Sequence, residues 1–201
     1  MKNKISLAFI LFLVLNSKII AQDNYVVKDA VDFYDEILNY NKNDSTIKLY
    51  AACLDDFDYL LKKSEKKYKI IYIASHWYKL IVFPKIVKFA NKNEANVDLY
   101  VVFGNQYKTI PGILWYMDFH EYYKPFFILD VNKMGNKGGI FHEYSRINKL
   151  ISFLCPECNY KKIDYSDYIV LDKDNKVVFY TTVKDGRKDK INLLKNLDMN
   201  K

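Results

Sequence analysis

The pattern of apolar and polar positions divides the chain into alternating helical and extended segments. Apolar residues at i, i+3, i+4, i+7 and i+8 follow a candidate capping residue, Asp29, and predict a first helix. The same spacing predicts a second helix over 47–61. Uninterrupted β-branched and aromatic runs instead predict buried strands. The predicted strands are 68–74, 97–103, 126–131, 168–171 and 177–180, and the further predicted helices are 80–91, 113–122, 147–154 and 188–197.

This order of elements predicts an α/β fold, because strands and helices alternate from residue 68 onward. The sheet should contain parallel strands covered by helices, and it should end in an antiparallel hairpin around 172–175. The run over 68–74 lacks the alternation of a half-exposed strand, so we expect it to be central and buried. Pro84 should lie near the first turn of its helix, where few backbone hydrogen bonds are lost.

Composition agrees with a single globular domain. Hydrophobic residues make up 50% of the 201-residue chain and charged residues 27%, which excludes a disordered or collagenous protein. Eighteen Tyr and 13 Phe predict a large aromatic core. We divide the chain into residues 1–21, an N-terminal helical extension over 22–65, and an α/β domain over 66–201.

The first 21 residues have the pattern of a secretory signal peptide. Lys2 and Lys4 precede an apolar stretch over 5–15 that is interrupted only by Ser6, and Ala21 offers a small residue for cleavage. Eleven residues are too few for a spanning helix, which needs about 20. We therefore expect a chain that is exported to the periplasm or the extracellular space, without a stable membrane span after cleavage.

The net charge gives little support for nucleic-acid binding. The formal charge is +7, and removal of residues 1–21 takes away three lysines and no acidic residue, which leaves +4. Basic residues elsewhere alternate with acidic ones, as around Glu65, which is typical of a solvated helix end. We expect no nucleic-acid partner.

Three segments resemble secreted thioredoxin-fold proteins of the TlpA and AhpC/TSA-like redoxin type. Residues 69–79, the helix with Pro84 and the strand at 97–102 are similar to the first βαβ unit of that fold. Residues 125–130 resemble the strand that these redoxins insert, and residues 168–178 resemble their terminal hairpin. The resemblance covers about residues 66–197 and implies a thioredoxin-like three-layer sandwich.

The family's catalytic groups are absent from the matching positions. The two cysteines that the family carries at the start of the helix fall on His76 and Lys79, and its cis-proline falls on Ser166. The resemblance therefore implies a degenerate redox site. His76 could act as a base and Lys79 could bind an anion at the helix N-terminus, or both could lie in an ordinary solvated loop.

A separate Cys-x-x-Cys follows the apolar helix face that ends at Leu154. Cys155 and Cys158 come after a helix, where the dipole disfavours a thiolate, so a structural disulfide is the favoured interpretation. A redox-active pair is the second interpretation. A zinc site is the third, and its further ligands would come from Cys53, His120 and His142. Cys53 itself is expected as a small buried residue on a helix face.

Other candidate groups are weaker. His120 with Glu121 and His142 with Glu143 pair an imidazole with a carboxylate, but adjacent helical residues point apart, so we expect surface positions and no metal site. Aromatic residues near Trp115 could line a peptide or carbohydrate groove or belong to the core.

Two functions follow from these residues. The first is an exported thioredoxin-fold protein that binds an unidentified protein or peptide, has no cofactor and catalyses no reaction. The second is a thiol–disulfide oxidoreductase that uses Cys155 and Cys158. Reduction of the Cys155–Cys158 pair would distinguish the two, because a structural bridge resists reduction by glutathione.

Overall fold

The computed structural model describes residues 27–41, 43–74, 82–105, 109–135 and 140–197. The predicted signal peptide lies outside these residues. The strands are β1 (Lys28–Asp29), β2 (Leu49–Ala52), β3 (Tyr68–Ala74), β4 (Val97–Phe103), β5 (Phe126–Leu129), β6 (Tyr168–Asp172) and β7 (Val177–Tyr180). The α-helices are α1 (Tyr34–Leu38), α2 (Leu54–Lys63), α3 (Phe83–Lys92), α4 (Ile110–Phe119), α5 (Ile140–Leu154) and α6 (Arg187–Lys195), and 3₁₀ turns occupy Ala30–Phe33 and Tyr160–Lys162.

The seven strands form one mixed sheet in the order β1-β2-β5-β4-β3-β6-β7. Strands β1 to β5 pair in parallel, whereas β6 is antiparallel to both β3 and β7. Strand β3 has neighbours on both sides, and six of its seven residues are buried. The prediction of a central, buried strand over 68–74 is therefore confirmed, as is the antiparallel hairpin.

Helices cover both faces of the sheet, because side chains alternate along each buried strand. Ile70 and Tyr72 of β3 face a core shared with α3, α4 and α6. Ile71 and Ile73 face the opposite core, which α2 and α5 complete. The predicted thioredoxin-like α/β sandwich of three layers is confirmed in this arrangement, with the βαβ unit β3-α3-β4 and the hairpin β6-β7 at the expected places.

A buried lysine ties β3 to the hairpin. Lys69 has no exposed surface, and its Nζ donates to the carbonyl of Lys173 at 2.8 Å and to Asn175 Oδ1 at 2.7 Å. Burial lowers the pKa of this ammonium group. Oxygen acceptors in the turn compensate for the lost hydration, so the turn conformation depends on this side chain.

Part of the N-terminal prediction is wrong. The helix predicted over 47–61 is strand β2 followed by helix α2. All four residues of β2 are buried, and β2 pairs with β1 on one side and β5 on the other. Pairing on both sides outweighs the local helical spacing, since a buried backbone must satisfy its hydrogen bonds. The segment 22–65 therefore contributes two sheet strands as well as helices.

Two helices carry a proline in their first turn, and the place of Pro84 is as predicted. Helix α3 begins at Phe83 with Pro84 in its first turn, and α4 begins at Ile110 with Pro111 in its first turn. Proline is tolerated there because the first amide groups of a helix have no intrahelical acceptor. The helix predicted over 113–122 therefore begins three residues earlier than predicted, at Ile110.

Candidate functional site

The expected site lies where β3 and β4 end at the same edge of the sheet. His76 and Lys79 follow β3 in sequence, and both lie outside the described residues. The structure describes the neighbouring groups: the residues after β4, the loop before β6, and the first half of α5. These groups form a buried polar cluster that the sequence analysis did not predict. Its members are Gly104, Asn105, Glu143, Arg146 and Tyr165.

Ser166, in the loop before β6, lies beside the end of β3. Its backbone N–H donates to the carbonyl of Ile73 at 2.8 Å. Its φ of 70° places it in the left-handed region, which is uncommon for a residue with a side chain. All peptide bonds between described residues are trans, so the bend before β6 comes from this φ angle and not from a cis bond.

Glu143 of α5 is the centre of the polar cluster. Asn105, which follows β4, donates its Nδ2 to Glu143 Oε2 at 3.2 Å. The hydroxyl of Tyr165 donates to the same carboxylate oxygen at 3.5 Å. Glu143 and Asn105 are both buried, so the predicted surface position of Glu143 is wrong. Within the described residues, Asn105 Oδ1 has no hydrogen-bond partner.

Arg146 lies one turn farther along α5 and is completely buried. Its guanidinium donates to the carbonyl of Gly104 at 2.7 Å. A Cβ on Gly104 would come within 2.5 Å of Ile147 Cγ1 and 3.2 Å of the Glu143 carbonyl oxygen. Glycine therefore permits the close approach of α5 to the end of β4 that this hydrogen bond requires.

Burial also sets the protonation of the phenol in this cluster. Desolvation raises the pKa of Tyr165 above its ordinary value of 10, and the nearby Glu143 carboxylate raises it further. The hydroxyl stays protonated at neutral pH and can serve as a hydrogen-bond donor. The cluster thus offers polar contacts and no group that is activated as a nucleophile.

A second buried polar group supports the loop that carries Ser166. Asp167 is completely buried and accepts from Lys190 Nζ at 2.5 Å and from Thr181 Oγ1 at 2.8 Å. The backbone N–H of Asp164 donates to the other carboxylate oxygen at 2.9 Å. These contacts attach the loop to β7 and α6, which fixes the backbone next to the sheet edge.

Cys155 and Cys158 are bonded to each other beyond the C-terminal end of α5. Cys155 has 0% of its surface exposed and Cys158 7%, among the apolar residues beneath α5. Twelve residues of helical rise, about 18 Å, separate Cys155 from Glu143 along the helix axis. The disulfide and the polar cluster are therefore at opposite ends of α5. The sulfur–sulfur bond also excludes these two residues as ligands of the zinc site considered above.

The remaining sequence candidates do not converge. Cys53 is a half-exposed free thiol between β2 and α2, and not a buried residue on a helix face as predicted; partial burial raises its pKa. His120 is packed 4.4 Å from the ring of Tyr116, and burial lowers its pKa. His142 is half-buried in α5. In the parts of the chain that the structure describes, no three His, Cys, Asp or Glu side chains could hold a metal ion.

The polar cluster had a signal in the sequence. Arg146 precedes Ile147 and lies among the apolar positions of α5, where a charged side chain must find a buried partner. Its acceptor on Gly104 is 42 residues earlier, so the sequence pattern alone did not identify the contact.

Within residues 27–41, 43–74, 82–105, 109–135 and 140–197, no helix is long and apolar enough to cross a membrane.

No family model matches the chain, and no curated protein matches it. Among solved structures, the thioredoxin domain of a thiol-disulfide oxidoreductase from Bacteroides vulgatus is 12% identical, with 65% of this chain and 79% of that one covered and a TM-score of 0.43. A thiol:disulfide interchange protein of the thioredoxin family from Chlorobium tepidum is 13% identical over 65% and 79%, with a TM-score of 0.44. StoA from Bacillus subtilis is 11% identical over 66% and 84%, with a TM-score of 0.42. The fold assignment rests on the sheet order and helix layers described above.

Proposed function

We propose that this chain is an exported thioredoxin-like protein that binds a protein or peptide partner and performs no thiol–disulfide exchange. The burial of the Cys155–Cys158 disulfide carries this proposal. A thiolate must reach a disulfide sulfur to attack it, and Cys155 has no exposed surface while Cys158 has only 7%. The disulfide is therefore structural.

The position of the pair on α5 supports the same interpretation. A helix C-terminus carries partial negative charge, and it disfavours the thiolate that disulfide exchange requires. Cys155 N–H donates to the carbonyl of Ile151 at 2.8 Å, which places its sulfur at that end of the helix dipole. The end of the sheet where the related redoxins carry cysteines instead has His76 and Lys79 in the sequence.

Thiol counting and an insulin-reduction assay test this function. Alkylation of the native protein should modify Cys53 and leave the other two cysteines protected, also in a glutathione buffer. Insulin reduction should not exceed that of a Cys155→Ala/Cys158→Ala variant, and Cys53→Ala serves as the control for the free thiol. Turnover that disappears in the double variant would establish the oxidoreductase instead.

Export requires a separate experiment. The full chain, expressed in a bacterial host, should be recovered outside the cytoplasm with Gln22 as its first residue, as cleavage after Ala21 predicts. A variant without residues 5–15 should remain inside the cell. Recovery of the unprocessed full-length chain in the cytoplasm would contradict this part of the proposal.

Selection from a random peptide display library tests the binding role. Peptides that bind the wild-type protein should bind a His76→Ala/Lys79→Ala variant at least tenfold more weakly. The Cys155→Ala/Cys158→Ala variant should retain binding within twofold, because its substitutions lie at the far end of α5. Equal loss in both variants would show that the effect is general instability and not a contact at the sheet edge.

A further inference from the structure

The outer face of α4 presents two large aromatic side chains to solvent. Trp115 is 66% exposed and Phe119 is 67% exposed, although they belong to a helix whose other apolar residues are buried. Their rings stack at 5.5 Å with an interplanar angle of 21°. Contiguous exposed apolar patches of a few hundred Å² are often functional on protein surfaces.

Helix α3 carries positive charge on its exposed side. Lys85, Lys88 and Lys92 recur at i, i+3 and i+7, and all three are exposed. Helix α3 contains no acidic residue. Among the described residues, no ion pair involves these lysines. Their charge is therefore available to a partner.

The two helices point their exposed residues in the same direction. The ring of Phe83 in α3 lies 5.6 Å from the rings of Tyr116 and His120, so α3 and α4 are neighbours. Both helices bury their apolar residues against the same side of the sheet. Their outer residues must then face away from that side together.

We propose that this basic aromatic face, defined by Lys85, Lys88, Lys92, Trp115 and Phe119, binds the surface of an anionic lipid bilayer. Lysines near such a surface are attracted by its negative potential. Tryptophan and phenylalanine enter the interfacial region of lipid bilayers with their apolar rings. The association is peripheral, and it is a property separate from the peptide binding proposed above.

The dimensions and charge of the face favour a bilayer over a second copy of this chain. Two aromatic side chains that are two-thirds exposed offer at most about 330 Å², taking about 250 Å² for each side chain. A stable protein interface needs about 800 Å² from each partner. Two copies that met through this face would also oppose six lysines. Asp118 is the exposed acid on α4, and it accepts a hydrogen bond from Tyr123.

Fluorescence of Trp115 tests the proposal at the proposed point of contact. The chain has two tryptophans, so Trp77→Phe leaves Trp115 as the sole reporter. Vesicles of phosphatidylglycerol should shift its emission to shorter wavelength, and brominated lipids should quench it. Phosphatidylcholine vesicles should do neither. Because the signal comes from Trp115, membrane contacts of residues 1–21 do not produce it.

Charge variants in the same Trp77→Phe background provide a second test of the proposal. Lys85→Gln/Lys88→Gln/Lys92→Gln should weaken binding to phosphatidylglycerol about a hundredfold, at about fivefold for each lysine. Lys62→Gln/Lys63→Gln, on α2 at the opposite side of the sheet, should change the affinity for phosphatidylglycerol vesicles by less than twofold. Circular dichroism should be the same for all variants, since every substituted lysine is exposed.

Three results would overturn the proposal. The first is unchanged Trp115 emission with phosphatidylglycerol vesicles. The second is equal weakening by the α2 variant, which would show that net charge and not this face determines binding. The third is a response to polyglutamate but not to vesicles, which would assign the face to an acidic protein. Peptide selection at the sheet edge is unaffected by any of these outcomes, so the two proposals can fail separately.

Discussion

Helix α5 has buried charges near its start, which join it to other elements, and a buried disulfide just beyond its end, which closes the short loop that follows the helix. At the first end, Glu143 and Arg146 receive partners from the residues after β4 and from the loop before β6. At the other end, Cys155 and Cys158, three positions apart in the sequence, are bonded to each other. The charged end depends on long-range geometry, whereas the disulfide end depends on local sequence.

The comparison shows that burial has different consequences at the two ends. A buried charge is costly unless each polar atom has a partner, so the first end constrains the positions of several elements together. A buried disulfide needs no external partner, because each sulfur is bonded to the other. The chemical residues that stand out in the sequence are consequently not the residues that organise the sheet edge.

Removing Arg146 should have the largest effect. Arg146→Ala leaves a cavity and deprives the Gly104 carbonyl of its donor, so we expect a loss of about 3–5 kcal/mol in the free energy of unfolding. Urea denaturation measures it. Arg187→Ala is the matched control, because Arg187 is exposed on α6 and should change stability by less than about 0.5 kcal/mol. Similar losses in the two variants would refute the special role of the buried arginine.

Gly104→Ala should cause the second-largest loss in the free energy of unfolding. The added methyl group would overlap Ile147 and force α5 away from the end of β4, at a cost of about 2–3 kcal/mol. Gly186→Ala provides the control, since its methyl group would meet only the mobile end of the Asp189 side chain. Thermal unfolding of both variants gives the comparison. A Gly104→Ala protein as stable as the control would mean that α5 is not closely fitted to this edge.

The disulfide should contribute less to the free energy of unfolding than Arg146 does. A bridge that closes so short a loop is expected to stabilise the fold by about 2 kcal/mol through the unfolded chain. Cys155→Ala/Cys158→Ala should lower the stability by about that amount in urea denaturation. Cys53→Ala, at the half-exposed thiol, is the control. A loss above that of Arg146→Ala would reverse the ranking of the two ends.

Tyr165→Phe should have the smallest effect on the free energy of unfolding, and this effect should depend on pH. Loss of one long hydrogen bond costs about 0.5–1.5 kcal/mol at neutral pH. The pKa of Tyr165 is raised in the folded state, so its contribution is complete below pH 10 and declines as the pH rises above 10. Urea denaturation from pH 7 to 11 should show a smaller alkaline decline for the variant. Parallel curves would contradict the burial of this phenol.

The sequence predicted the fold better than it predicted the site. Strand β3, the hairpin and the two helix-opening prolines follow from local chemistry: β-branched runs, turn residues and the free amide groups of a first helical turn. Strand β2 was missed because two of its residues, Tyr50 and Ala51, also fit a helical period, and only pairing with β1 and β5 selects the extended form. The polar cluster was missed because its hydrogen bonds join residues 22 to 42 positions apart.

The sequence by itself determined the alternation of elements, the absence of cysteines at His76 and Lys79, and the location of the Cys155–Cys158 pair after a helix. These properties are local, since they depend on side-chain type and on spacing within a few residues. The tertiary structure decided that Glu143 and Arg146 are buried, that the disulfide is buried, and that Trp115 and Phe119 remain exposed. Burial depends on which faces of distant elements pack together. The periodicity of a single helix does not identify the element that packs against it.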